Sequence, residues 1–194
     1  MKHIALLSLA VMASLAVANS AFALSFSVDV PYQFTLDNKI MDTQKSITLK
    51  NQDSTKAKGF ILGASAGWLG VGYEKYDVDG KATTLGFPFD FTLTYQFYDV
   101  FLDLPFPVIH PVIGYGKGTV FLATDGLPSG LGAHIEPGDA SQTFARVGIP
   151  IGPLFDLHLG YHVVTVADAK FKNSTGDKLK TSGEMWTVGA RLGW

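Results

Sequence analysis

Residues 24 to 34 read Leu24-Ser25-Phe26-Ser27-Val28-Asp29-Val30-Pro31-Tyr32-Gln33-Phe34, and every second side chain is apolar or aromatic. Leu24, Phe26, Val28, Val30, Tyr32 and Phe34 fall on one side of an extended chain, with Ser25, Ser27, Asp29, Pro31 and Gln33 on the other. Successive side chains of a strand point to opposite faces, so the stretch predicts a β-strand with one greasy and one polar side. The alternation returns at 89–97, where Phe89, Phe91, Leu93, Tyr95 and Phe97 oppose Asp90, Thr92, Thr94 and Gln96. It returns again at 157–165, where Leu157, Leu159, Tyr161 and Val163 oppose His158, Gly160, His162 and Val164. Helical spacing of comparable length occurs nowhere.

Turn signals divide the chain into eight strands, at about 24–34, 58–67, 69–78, 88–98, 109–121, 142–151, 155–166 and 184–194. Long polar connections (35–57, 79–87, 122–141, 167–183) alternate with shorter ones near Gly67-Trp68, at 99–108 and at Gly152-Pro153-Leu154. Eight antiparallel strands with long loops at one end and mostly short turns at the other predict an all-β, eight-stranded antiparallel up-and-down transmembrane β-barrel over residues 24–194. The first 23 residues carry a different pattern: Lys2 at the start, an apolar core from Ile4 to Val17, then Ala21-Phe22-Ala23. That is the layout of a cleaved secretory signal peptide, and its apolar core is too short to span a bilayer as a helix.

Composition agrees with a folded body. The chain has 194 residues, 47% hydrophobic and 16% charged, and its net charge of -2 gives no electrostatic footprint for nucleic acid. With no Cys, a disulfide framework, a thiolate metal site and a cysteine nucleophile are all excluded.

Alternation alone does not say which face is outside, because a soluble eight-stranded calyx shows the same pattern turned inside out. Three features assign the apolar face to lipid. The opposite face carries small and polar residues that suit a narrow interior, among them Gly70, Gly72 and Glu74, Gly114, Gly116 and Gly118, Arg146 and Gly148, and Thr187, Gly189 and Arg191. Aromatics gather near strand ends (Tyr32, Phe34, Phe60, Trp68, Phe97, Phe155, Trp186, Trp194), as interfacial girdles require. The last predicted strand also ends on an aromatic, Trp194. On this reading Leu93 and Leu159 both face hydrocarbon.

Residues 184–194, with Trp186, Val188, Ala190, Leu192 and Trp194 at alternate positions, resemble the C-terminal assembly signal of bacterial outer-membrane proteins, which more often ends on Phe. Pro111-Val112-Ile113-Gly114-Tyr115-Gly116 and Asp156-Leu157-His158-Leu159-Gly160-Tyr161 look like strands of small OmpA-, OmpX- and OmpW-type barrels. The resemblance implies a bacterial outer-membrane location and insertion by the barrel-assembly machinery with periplasmic chaperones. It also implies contact with outer-membrane lipid and lipopolysaccharide, and a monomeric body.

The chemistry-bearing residues are few. Asp29, Glu74, Asp90, Arg146, Asp156, His158, His162 and Arg191 are expected to face inward as a stabilising charge network, because buried charges must be paired. Asp29 with Arg191 is the expected closing pair. His158 and His162, two inward positions apart, could present imidazoles to a metal, yet no third ligand is evident, and Arg146 should face the same level. His134 and Glu136, with Ser129 and Ser141 nearby, form no preorganised triad on a Gly-rich loop. Gly114-Tyr115-Gly116-Lys117-Gly118 lacks the strand-to-helix setting of a phosphate loop. The expectation is a non-enzymatic structural or surface-interaction barrel without cofactor. The alternative is an OmpW-like barrel that binds or transports small hydrophobic molecules, for which the long third loop and the Pro-rich 104–111 segment would suit an opening.

Overall fold

A computed structural model describes residues 24–36, 47–49, 56–84, 87–104, 106, 108–125, 137–167, 169–170, 178–179 and 182–193. The expected signal segment, the loop holding Ser129, His134 and Glu136, and Trp194 lie outside the described residues. Eight long strands form the body: β1 Leu24–Leu36, β2 Ala57–Ala66, β3 Leu69–Thr84, β4 Phe87–Asp103, β5 His110–Asp125, β6 Gly138–Pro150, β7 Phe155–Val166 and β8 Gly183–Gly193. Each pairs antiparallel with its chain neighbours, and β1 pairs with β8 from Ser25↔Gly193 to Leu36↔Gly183, which closes the barrel. A short segment, Ile47–Leu49, adds to β3 at Ala82–Thr84. Another, Ala169–Lys170, pairs with Lys178–Leu179.

The connections at one end are tight. The β2–β3 turn takes two residues, and Gly67 sits there at a φ of +62°, a left-handed conformation that glycine adopts without a Cβ penalty. At the other end β3 and β4 run on to Thr84 and Phe87, so the polar 79–87 segment, read from sequence as a loop, is mostly paired strand. β4 also continues through Asp103, turning 99–103, expected as a connection, into ladder.

On the first strand as far as Val30, and on the seventh and eighth strands, the faces are as expected. Leu24, Phe26, Val28 and Val30, then Leu157, Leu159 and Val163, then Trp186, Val188 and Leu192 point outward, while His158, His162, Thr187 and Arg191 are buried inside. Two expectations fail. Phe34 is buried at 0% exposure, because a β-bulge between Pro31 and Gln33 inserts one residue and moves the rest of β1 to the opposite face. On β4 the apolar row Phe91, Leu93, Tyr95 and Phe97 points into the lumen, with Leu93 at 1% exposure. Thr92, Thr94 and Gln96 therefore point outward. Continuing along the same parity, Asp99 and Asp103 also point in, whereas Tyr98, Val100 and Leu102 point out. Along this one strand the apolar face changes sides near residue 97.

The same inversion on β3 places Leu69, Val71 and Tyr73 outside near the turns, then Lys75, Asp77, Asp79 and Lys81 outside farther up, with Tyr76 and Val78 inside. The barrel thus has a lower part with an apolar exterior and polar interior. Above it, β3 and β4 carry an extension with a polar exterior and apolar interior, while β5 keeps Phe121 on its outer face.

Candidate functional site

The described interior has two layers. In the loop-end layer Tyr76 stacks on Tyr95 at 5.1 Å, Tyr95 on Phe97 at 6.3 Å, and Phe34 packs against Tyr95 at 5.3 Å. Ile61, Val78, Leu93, Val164 and Met185 pack into the same core, each at most 1% exposed. Aromatic rings at these separations attract beyond their buried area.

Below this layer the lumen is polar. Arg146 on β6 lies opposite Gly160, between the levels of His158 and His162, as its place in the sequence implied. Its guanidinium is clamped between Phe101 and Phe144, 5.0 and 4.9 Å from the ring centroids, and Nη1 donates to Asp29 Oδ2 at 2.8 Å. Removal from water makes both the cation–π contact and the ion pair stronger than they would be on a surface. The rings fit because Gly70 and Gly114 stand beneath them, where a Cβ would collide with Phe101 and Phe144. His158 Nδ1 lies 3.5 Å from Asp29 Oδ1. One level higher, Gln142 Nε2 donates to Asp99 Oδ1 at 2.8 Å, and His162 stacks on Phe144 with Nδ1 3.5 Å from Glu74 Oε1.

Nearer the turns, Arg191 anchors a second cluster. Its Nη1 donates to both oxygens of Asp103 at 2.6 Å, and Nε donates to Asp156 Oδ2 at 2.8 Å. Ser65 donates to Asp103 at 3.0 Å and shares a 2.6 Å hydrogen bond with Ser25. His110 Nδ1 sits 2.6 Å from Asp156 Oδ2 and also against Arg191 Nη2.

Seven of the eight expected network residues are therefore inside: Asp29, Glu74, Arg146, Asp156, His158, His162 and Arg191. Asp90 is not. It points outward on the β4 extension and lies 4.0 Å from Lys81, both side chains 69% exposed. The expected closing pair is also replaced. Ser27 pairs with Arg191 in the ladder and Asp29 with Gly189, but Asp29 reaches across to Arg146 while Arg191 takes Asp103 and Asp156. Asp99, Asp103, His110 and Gln142 were not singled out in the sequence. Asp99 and Asp103 share parity with Leu93, a signal hidden when the strand is ended at 98. Among the described residues no group of three His, Cys, Asp or Glu is placed to hold a metal ion.

A closed eight-stranded antiparallel barrel with an apolar outer band and an ion-paired lumen is the fold of small outer-membrane barrel proteins. Neisserial surface protein A superposes with a TM-score of 0.56 at 14% identity, over 88% of this chain and 96% of that one. The E. coli outer membrane protein W superposes with a TM-score of 0.56 at 13% identity, over 89% and 99% of the two chains. At this identity the likeness is one of fold. No family model and no curated protein sequence matches the chain.

Proposed function

We propose that the chain is an integral protein of the bacterial outer membrane, with its long loops outside, and that its closed body serves a structural and surface-interaction role without catalysis. The observation that carries this reading is the filled lumen, in which the aromatic layer of Phe34, Tyr76, Tyr95 and Phe97 lies directly above a charge network organised by Arg146. Such a cross-section leaves the loops and the outer wall as the surfaces that meet partners. His110, His158 and His162 are held against Asp156, Asp29 and the Glu74–Gln142 pair, which supports structural rather than nucleophile-activating roles. Insertion by the barrel-assembly machinery and periplasmic chaperones, with a monomeric product, belongs to the same reading.

Single-channel recording in planar bilayers tests it. The expected result is no stable open level, and a steady ohmic conductance would overturn the closed-body reading. A second reading, a barrel that binds or passes small hydrophobic molecules, draws on the apolar lining of the loop-end lumen, since such a molecule would meet aromatic and aliphatic side chains there once the ring layer parts. Protein-dependent uptake of an apolar fluorophore into vesicles, without ionic conductance, would favour it.

A further inference from the structure

On the outer wall, the apolar band ends in aromatic side chains at Phe60, Tyr73, Tyr98 and Tyr115, with Tyr73 5.3 Å from Tyr98 and 6.1 Å from Phe60. The next outward positions on β3, β4 and β5 are Lys75, Gln96 and Lys117. Lys75 pairs with Gln96 in the ladder, Lys117 pairs with Tyr98, and Gln96 Nε2 donates to Tyr73 Oη at 2.9 Å, so the two lysines stand in adjacent ladder rows on the strands that flank β4. Two inter-strand steps and a two-residue offset put the lysine Cα atoms on the order of 12 Å apart.

The charges around these lysines are arranged by depth. Asp77 and Asp79 lie one and two outward positions farther from the apolar band on β3. Asp139 on β6 stands opposite Thr119, one outward position beyond Lys117. Asp79 is neutralised by Lys58 at 3.0 Å, and Asp77 accepts from Thr94 at 2.6 Å. Lys81 is matched by Asp90 farther up. Lys58, Lys75 and Lys117 are thus the cations nearest the aromatic belt; Lys58 is taken by Asp79, which leaves Lys75 and Lys117, both exposed, without an acidic partner among the described residues. The corresponding outward positions on β1, β6, β7 and β8 are Thr35, Thr143, Thr165 and Glu184, so the basic pair occupies one side of the barrel.

Two ammonium groups at the edge of an apolar wall match an amphiphile that carries separated phosphates directly above its acyl chains. We propose that Lys75 and Lys117 dock the phosphate groups of lipopolysaccharide, whose acyl chains lie along Leu62, Val71, Val100 and Ile113. This inference rests on the outer-membrane reading above. Phosphates draw ammonium groups strongly where water is partly excluded, and the acids lie far enough out to leave the lysines available.

The test uses the full barrel reconstituted in vesicles that contain lipopolysaccharide, the same lipopolysaccharide stripped of its phosphates, or phosphatidylglycerol. The readout is the thermal midpoint at which the folded band is lost on a gel. Intact lipopolysaccharide should raise the midpoint of wild type, and K75Q/K117Q should lose most of that rise. K58Q, whose lysine is committed to Asp79, should keep it. An equal rise in the double variant, or an equal rise with the phosphate-free lipid, would overturn the site. An equal rise from phosphatidylglycerol through the same lysines would overturn its assignment to lipopolysaccharide. Labelling Asp90→Cys on intact cells with a membrane-impermeant maleimide checks orientation separately. A labelled barrel whose lipid response ignores the lysines refutes the docking site alone, whereas an unlabelled one refutes the orientation on which it rests.

Discussion

In the loop-end half of the lumen Tyr76, Tyr95, Phe97 and Phe34 fill the interior with packed rings, while a few residues nearer the turns it holds the Arg146–Asp29 ion pair with the imidazoles of His158 and His162. The exterior changes in the opposite sense at the same boundary. Below it Val71, Val100 and Leu159 are exposed, and above it Lys75 is exposed with Asp77 and Gln96 half-buried on the same outer face. A segment surrounded by hydrocarbon gains nothing from hiding apolar side chains inside, so its interior is free to hold polar groups provided they pair. A segment that rises into water needs a hydrophobic core like any soluble sheet. Leu93 and Leu159 both belong to apolar rows, yet one is 1% and the other 53% exposed, and the difference is which solvent lies outside.

The contrast is broken most strongly at Arg146. Arg146→Met leaves the Asp29 carboxylate buried beside His158 without its cation, at an expected cost of about 3 to 5 kcal/mol. Asp29→Asn strands the guanidinium instead, and the double variant should lose less than the sum. Urea unfolding in lipid vesicles gives all three values, and additive losses would show that the pair is not coupled.

The second comparison sets neighbours on one strand against each other. Leu93→Ala should cost about 2 to 5 kcal/mol by opening a cavity in the ring layer. Thr94→Ala, on the outward face next door, should stay within about 0.5 to 1 kcal/mol. Reversal of that order would put the apolar face of β4 back outside.

The smallest effect belongs to the exposed wall. Lys58 beside Asp79, with the Thr92 hydroxyl, holds that carboxyl below the ordinary carboxylate value. A depressed folded value means the contribution is present above the unfolded value and disappears as pH falls through the folded one. Both groups are largely exposed, so Asp79→Asn should cost less than about 1 kcal/mol, and less again in high salt. Comparing the two unfolding midpoints at neutral and acidic pH checks the sign: the gap should close on acidification.

Period-two alternation, eight strands between turn signals and the unequal connections were enough to settle the barrel, because side-chain direction in a strand follows from covalent geometry alone. The same parity pointed Asp29, Glu74, Arg146, Asp156, His158, His162 and Arg191 inward, where the structure buries them. Three matters needed the folded chain. A one-residue bulge at Tyr32 reversed Phe34, and no rule of alternation signals where a ladder will slip. The face of Leu93 depended on how far β3 and β4 extend beyond the apolar band, because an apolar row reads the same whether lipid or a core receives it. Arg191 meets Asp156 directly across the β7–β8 ladder, but Arg146 for Asp29 and Asp103 for Arg191 lie across the lumen, and only closure of the barrel brings them together.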